Sequence, residues 1–370
     1  MIHRVLSIFS SKKTIIIVSR LLKLLCVTIC FIGFAKLLRY VLNDDTKSYT
    51  RLTFHQMYNP ARNIDVAFVG SSHCYRSFIP DIYDDCLEKY SFNAGTSSQH
   101  LDDSYEIIKE LCSHNNVEQI FLELYCGSTE SVEPYERTQL TSTYIVSDYL
   151  KPSFHKFCYI LRASSKDYWV DSFIIGRRNW KHLLDFNYMK NLVIKKQNPN
   201  YKNYKWEKKE KDTEWYHDRG FVANNQLITP DDIKSDEIVR IEKSLQLTKE
   251  NYWYKYLHKI VNYCKRKNVK LTLIVAPEPD IAIKIRGNYQ EYIDFVNEFA
   301  DIYDVPYYDF NLCKNEYFDS SNYSLFKDKD HLNLNGASIF TSVFSNFISG
   351  KITKEELFYN NLSEKYNYLK

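Results

Sequence analysis

Five short apolar runs, at 64–69, 90–93, 117–124, 269–276 and 305–310, constrain this chain more than any other feature. Each is too short for an amphipathic helix and rich in Val, Ile, Leu, Phe or Tyr, the residues that fill a buried strand. Between them lie stretches with helical character, 101–112, 237–265 and 289–302. Strands that alternate with helices pair in parallel and carry helices on both faces, so an α/β three-layer sandwich with a mostly parallel sheet is expected. Such sheets bind ligands beyond the carboxyl ends of their strands. Ser72, Gly95 and Tyr125 all follow a run closely, and they mark where chemistry is to be sought.

The first run ends in Gly70-Ser71-Ser72-His73. A glycine-serine turn is either ordinary turn chemistry or a platform that presents a hydroxyl and leaves backbone N–H groups for a developing negative charge. A distant stretch favours the platform. Asp328-Lys329-Asp330-His331 stands just ahead of a helix expected over 337–344. Residues three apart at a helix entrance lie side by side, so Asp328 can orient the His331 imidazole, which can take the Ser72 proton. Ser71, Cys74 and Asp330 are rivals in these roles. Cys74 reads mainly as a small apolar residue. Asp330, the immediate neighbour of His331, reads as solvated, and His73, next to Ser72, as a pocket residue more than a base.

With both stretches in view, the chain resembles the SGNH, or GDSL-like, hydrolase superfamily. Gly70-Ser71-Ser72 stands where that family has Gly-Asp-Ser, Asp328-Lys329-Asp330-His331 where it has Asp-x-x-His, and Phe92-Asn93-Ala94-Gly95 looks like its second block. The resemblance implies a flavodoxin-like, SGNH-type sandwich, a Ser72, His331 and Asp328 triad, and an oxyanion hole formed by the N–H groups of Ser72 and Gly95. The family's Gly-x-Asn-Asp is missing, for Tyr125-Cys126-Gly127-Ser128 follows the third run, and a further oxyanion donor is unassigned. His73, Arg76, Gln99 and Tyr125 are pocket candidates, each equally open to a structural role. Within the superfamily the chain is most similar to membrane-anchored DltD-like and alginate-O-acetylation-like proteins. That likeness implies an acyl donor, a cell-surface glycan or teichoic-acid-like acceptor, and a multi-span membrane acyltransferase as partner. Esterase and O-acyltransferase chemistry both stay open. So does a non-catalytic, membrane-tethered glycan-binding or assembly role, to which the missing block lends weight.

Residues 1–43 hold seven Lys and Arg and no Asp or Glu, and leaving them out turns the chain's net +3 into −4 for residues 44–370. The slight basicity therefore belongs to this segment and argues for no nucleic-acid partner. Apolar runs at 14–18 and 24–35 make a helix that spans a membrane if its basic side chains snorkel. Arg4, Lys12 and Lys13 precede it, so 1–13 is expected in the cytoplasm, 14–43 as a single-pass transmembrane signal anchor, and 44–370 outside the cytoplasm. No small-x-small cleavage site follows. A basic helix lying on the membrane surface is the alternative. The nine Cys show no pairing pattern, and neither Cys-x-x-Cys nor His-Glu-x-x-His occurs, so no disulfide framework, metal or cofactor is expected. From about 128 to 235 the strand alternation lapses in favour of Trp, Tyr and Lys. This reads as an insertion or cap beside the site, whose rings and lysines either bind an anionic glycan or form a solvated basic face over the core.

Overall fold

The computed structural model describes residues 12–130, 132–138, 140–229 and 245–368. Most of the expected cytoplasmic stretch and the start of the helix expected from 237 lie outside these residues. The chain forms two compact units, one joining the residues up to Lys47 with Tyr168–Lys202, the other made of Ser48–Asp167 and the chain from Asn203 onward.

In the first unit, helix α1 (Lys12–Leu42) contains a segment, Thr14–Leu42, that is long and apolar enough to cross a bilayer although Arg20, Lys23, Lys36 and Arg39 interrupt it. Its side chains stay exposed, Leu24 at 64% and Val27 at 65%. Apolar surface of this kind, with no protein core to enter, suits a membrane anchor or a signal sequence. Part of the expected insertion folds onto the end of this helix. Tyr188 Oη donates to Leu42 O (3.1 Å), and the Lys196 ammonium donates to Tyr40 O (3.0 Å) and Asn43 O (2.6 Å).

The second unit is built on strands β1 (Val66–Val69), β2 (Ser91–Asn93), β3 (Gln119–Glu123), β6 (Lys270–Val275) and β7 (Tyr307–Asp309), all parallel in the order β2-β1-β3-β6-β7. Strands β4 (Glu214–Asp218) and β5 (Phe221–Asn224) form a separate antiparallel hairpin. With the hairpin set aside, this is the flavodoxin-like order of an α/β three-layer sandwich, as expected, and its switch point lies between β1 and β3.

Period-two alternation sorts the strand side chains. Ala67, Val69, Ile120, Leu122, Leu273 and Val275 enter one core with helices α4 (Leu101–His114), α5 (Tyr252–Lys267) and α6 (Tyr289–Tyr303). Val66, Phe68, Phe121 and Ile274 enter the other with α3 (Pro80–Leu87) and α7 (Leu334–Ile348). Strands buried on both faces need apolar residues at both parities, which is why they read as runs rather than as alternation.

Helix α5 starts far later than residue 237. Asn251 caps it, accepting from Tyr254 N–H (2.9 Å), and the Leu245 backbone exchanges two hydrogen bonds with the Asn288 side chain, which holds the preceding chain away from helical geometry. Hairpin β4–β5 docks on the edge of β2, where Asn93 N–H donates to Arg219 O (2.9 Å). Gly220 makes that approach possible: its φ is +85°, and a Cβ there would stand 1.6 Å from Asn93 O. The nearby aromatics are engaged inside the unit. Trp206 packs on Tyr49, Tyr204 stacks on His55 at 3.6 Å, and Lys208 covers Trp215 at 3.4 Å.

Candidate active site

Ser72 opens α2 (Ser72–Ser77) at the end of β1, on the switch-point side of the sheet. The turn is tight because β3 lies directly behind it. A Cβ on Gly70 would meet Glu123 Cβ and Oε2 at 2.7 Å, so only glycine fits. Ser71 caps α2, its Oγ accepting from His73 N–H (3.3 Å). The other half of the site precedes α7. An antiparallel bridge between Phe326 and Leu332, and the Lys327 N–H donating to His331 O (2.9 Å), close residues 327–331 into a compact loop.

This loop brings His331 to Ser72. Ser72 Oγ lies 2.7 Å from His331 Nε2, and His331 Nδ1 lies 2.9 Å from Asp328 Oδ1. With a carboxylate accepting from Nδ1–H, Nε2 is left to accept the Ser72 hydroxyl proton. Asp328 Oδ1 also accepts the N–H groups of Asp330 (2.9 Å) and His331 (2.8 Å). Burial alone would raise its pKa, but the His331 hydrogen bond and charge, the backbone donor and Lys327 together hold it well below the usual carboxylate range. The His331 and Asp328 side chains keep 18% and 35% exposure, so the pair is open to solvent.

Behind the three lies a buried layer. His73 stacks between Tyr125 (ring centroids 3.8 Å apart) and His331 (4.6 Å). Burial, and then the charges of His331 and Arg286, keep His73 neutral. Its Nδ1 meets Ser71 Oγ at 3.3 Å, and Glu123 Oε2 accepts from Ser71 N–H (3.3 Å) and Ser71 Oγ–H (3.2 Å). Burial pushes Glu123 up to about 8 against those hydrogen bonds. To one side, the Arg286 guanidinium lies 2.7 Å from the wholly buried Glu278, donates to Tyr125 Oη (3.2 Å), and stands 3.6 Å from Asp330. Arg286 thus ties the ends of β3 and β6 to the loop that carries His331.

Of the expected residues, Ser72, His331 and Asp328 come together, with His73 and Tyr125 beside them. Others have different employment. The Gly95 N–H, expected to face an oxyanion, donates to Asn93 Oδ1 (3.1 Å). Gln99 is spent within its own turn, accepting from Thr96 Oγ1 and donating to Ser104 Oγ, both at 2.9 Å. Arg76 pairs with Glu214 of the hairpin (2.5 Å). Cys74 is wholly buried, and burial raises its thiol pKa well above the ordinary value. Asp330 faces Arg286 rather than the imidazole. Ser128, in the departed third block, donates to Tyr125 O and accepts from Trp253 Nε1. The Ser72 N–H meets no acceptor among the described residues.

Sequence reading missed Glu123, Arg286 and Asn93. The Asn93 amide donates to Cys74 O and Phe78 O (both 2.9 Å) and so staples α2 to β2. Glu123 had a legible signal, a carboxylate between leucines inside an apolar run. Arg286 had none.

A protein-family model matches residues 225–353, the part of the chain that holds Asp328 and His331. No curated protein matches. Among solved structures the chain is similar to a proposed acylhydrolase from Bacteroides fragilis NCTC 9343, at 9% identity over 80% of this chain and 95% of that one, TM-score 0.36. It is also similar to a GDSL-like lipase from Bacteroides thetaiotaomicron VPI-5482, at 10% identity over 82% of this chain and 98% of that one, TM-score 0.36. At this overlap the two likenesses add nothing to the distances above.

Proposed function

We propose that the second unit is a serine acyl-transfer enzyme, an esterase or O-acyltransferase that works through an acyl-Ser72 intermediate. The observation that carries this is the unbroken Ser72–His331–Asp328 relay, at 2.7 and 2.9 Å, in an accessible position. His331 takes the Ser72 proton as Oγ attacks an ester or thioester carbonyl, then returns it to the leaving group. Asp328, held ionised, keeps the imidazole in the required tautomer and stabilises the imidazolium. The Ser72 N–H is the donor at hand for the oxyanion. Water or a polymer hydroxyl then takes the acyl group.

Helix α1, with Arg4, Lys12 and Lys13 at its entry end, supports a membrane-anchored protein with its N-terminus in the cytoplasm and its catalytic unit outside. In that setting a cell-envelope polysaccharide or teichoic-acid-like polymer is the acceptor, and a multi-span membrane acyltransferase the partner that delivers the acyl donor. A fluorophosphonate probe and p-nitrophenyl acetate test the chemistry: the parent is labelled and turns over, Ser72→Ala does neither. Equal labelling of both would remove Ser72 as nucleophile.

One observation favours a second reading. The Gly95 N–H is committed to Asn93 and the third-block asparagine is absent, which leaves the oxyanion hole thin. A tethered glycan-binding or assembly protein on the same scaffold would show no labelling in the parent, while still retaining polymer.

A further inference from the structure

The first unit carries a surface that the acyl-transfer site does not use. Residues 168–202 clamp the C-terminal end of α1. A Cβ on Gly176 would stand 2.6 Å from Leu38 Cβ, Asn179 Nδ2 donates to Asn43 Oδ1 (3.4 Å), and Lys196 pairs with Asp45 at 3.1 Å. Tyr201 Oη donates to Asp45 Oδ1 (2.9 Å). The same segment leaves several large apolar side chains in the open: Trp180 is 73% exposed, Leu184 84%, Phe186 74%. Exposed Arg177, Lys181 and Lys190 lie among them.

The depth of the clamp decides what covers these side chains. The candidate membrane span of α1, Thr14–Leu42, has 29 residues. A bilayer core of about 30 Å needs only about 20 of them at 1.5 Å each. A span beginning at Ile15 leaves the core near Phe34, so Leu38 and the residues packed on it lie within about 6 Å of the core edge, at headgroup level. Large apolar side chains, a tryptophan, and arginines and lysines together at that level are the composition of an interfacial element.

We infer that residues 169–197 form a collar in the membrane interface around the exit end of α1, with Trp180, Leu184 and Phe186 entering the lipid and the basic residues facing the headgroups. This rests on α1 staying in the chain as an anchor, the topology given above, and is independent of the serine chemistry. It also gives a reason for a cluster of apolar side chains that a water-facing unit would not leave bare.

The full chain is reconstituted in vesicles of phosphatidylcholine with a minority of phosphatidylglycerol, their acyl chains brominated near the carbonyl end. Flotation is read first, tryptophan emission second. The expected result is a floating protein whose emission falls, by up to about two fifths, relative to unbrominated vesicles, two of the five tryptophans, Trp169 and Trp180, lying in the collar. Trp180→Phe, a change at an exposed position, floats equally and is quenched less, by the share that Trp180 carries. Equal quenching in parent and variant, or none in either, with both floating, overturns the collar but leaves the anchor. A floating protein that is unquenched and dimeric assigns the surface to a second copy and overturns the collar as well. Failure to float overturns anchor and collar together.

Discussion

Asp328 and Glu123 both support the 70–73 turn, one from outside through His331 and the other from beneath through Ser71. Asp328 is partly exposed and collects N–H donors from its own loop and from the imidazole, so it is held as an anion. Glu123 is buried at a strand end, with only Ser71 to bond it among the described residues, and its proton is held up to about 8. The same functional group is thus a charge that orients a base in one place and a neutral strut in the other. Solvent and donor count separate the two.

Substitutions can break or sharpen that contrast. Ser72→Ala has the largest expected effect, since it removes the atom both supports serve: acyl transfer to p-nitrophenyl acetate falls by roughly a thousandfold or more, with the melting temperature unchanged. Asp328→Asn follows. It keeps the shape and loses the anion, and kcat drops by roughly a hundredfold to ten-thousandfold while KM holds. A KM change alone would place Asp328 in substrate binding.

Arg286→Met tests the buried side. Removing one partner of a buried pair costs about 3–5 kcal/mol, and Glu278, which burial raises to about 7 despite Arg286, can relieve part of that by taking a proton. The loss is therefore smaller at pH 6 than at pH 8, as denaturant unfolding at both values would show. A pH-independent loss would mean that Glu278 does not titrate there.

Glu123→Gln has the smallest effect, and its sign is the informative part. The folded-state pKa is raised from 4.5 to about 8, so the stabilisation from the bound proton is complete below 4.5 and fades as pH rises through 8. Parent stability should fall across that window by about 1 kcal/mol per unit, and the variant should be flatter. An identical slope would assign the titration elsewhere.

The strands were legible because burial on both faces demands apolar runs, and their expected limits agree with the observed ones to within two residues at each end. The serine, imidazole and carboxylate were legible as residue types at informative spacings. Arg286 was not, because its partners Glu278, Tyr125 and Asp330 are drawn from three separate stretches, and nothing local marks a cation that will be buried. The acids Asp102 and Asp103 illustrate the same limit. All that is local about them is their place in the first turn of α4, where acids suit the helix dipole, yet Asp102 is in a buried bidentate pair with Arg137. Residues 168–202 read as part of one insertion beside the site, and they belong with α1.

Patterning alone determined that this chain would make a parallel sheet with helices on both sides and a serine turn at the end of its first strand, since hydrophobic period and turn chemistry are local properties. Tertiary structure alone decided which N–H groups are free, which acid is charged, and which side chains stand behind His331. Those outcomes depend on the donors and the solvent that distant segments bring to one point, and no stretch of sequence carries that information by itself.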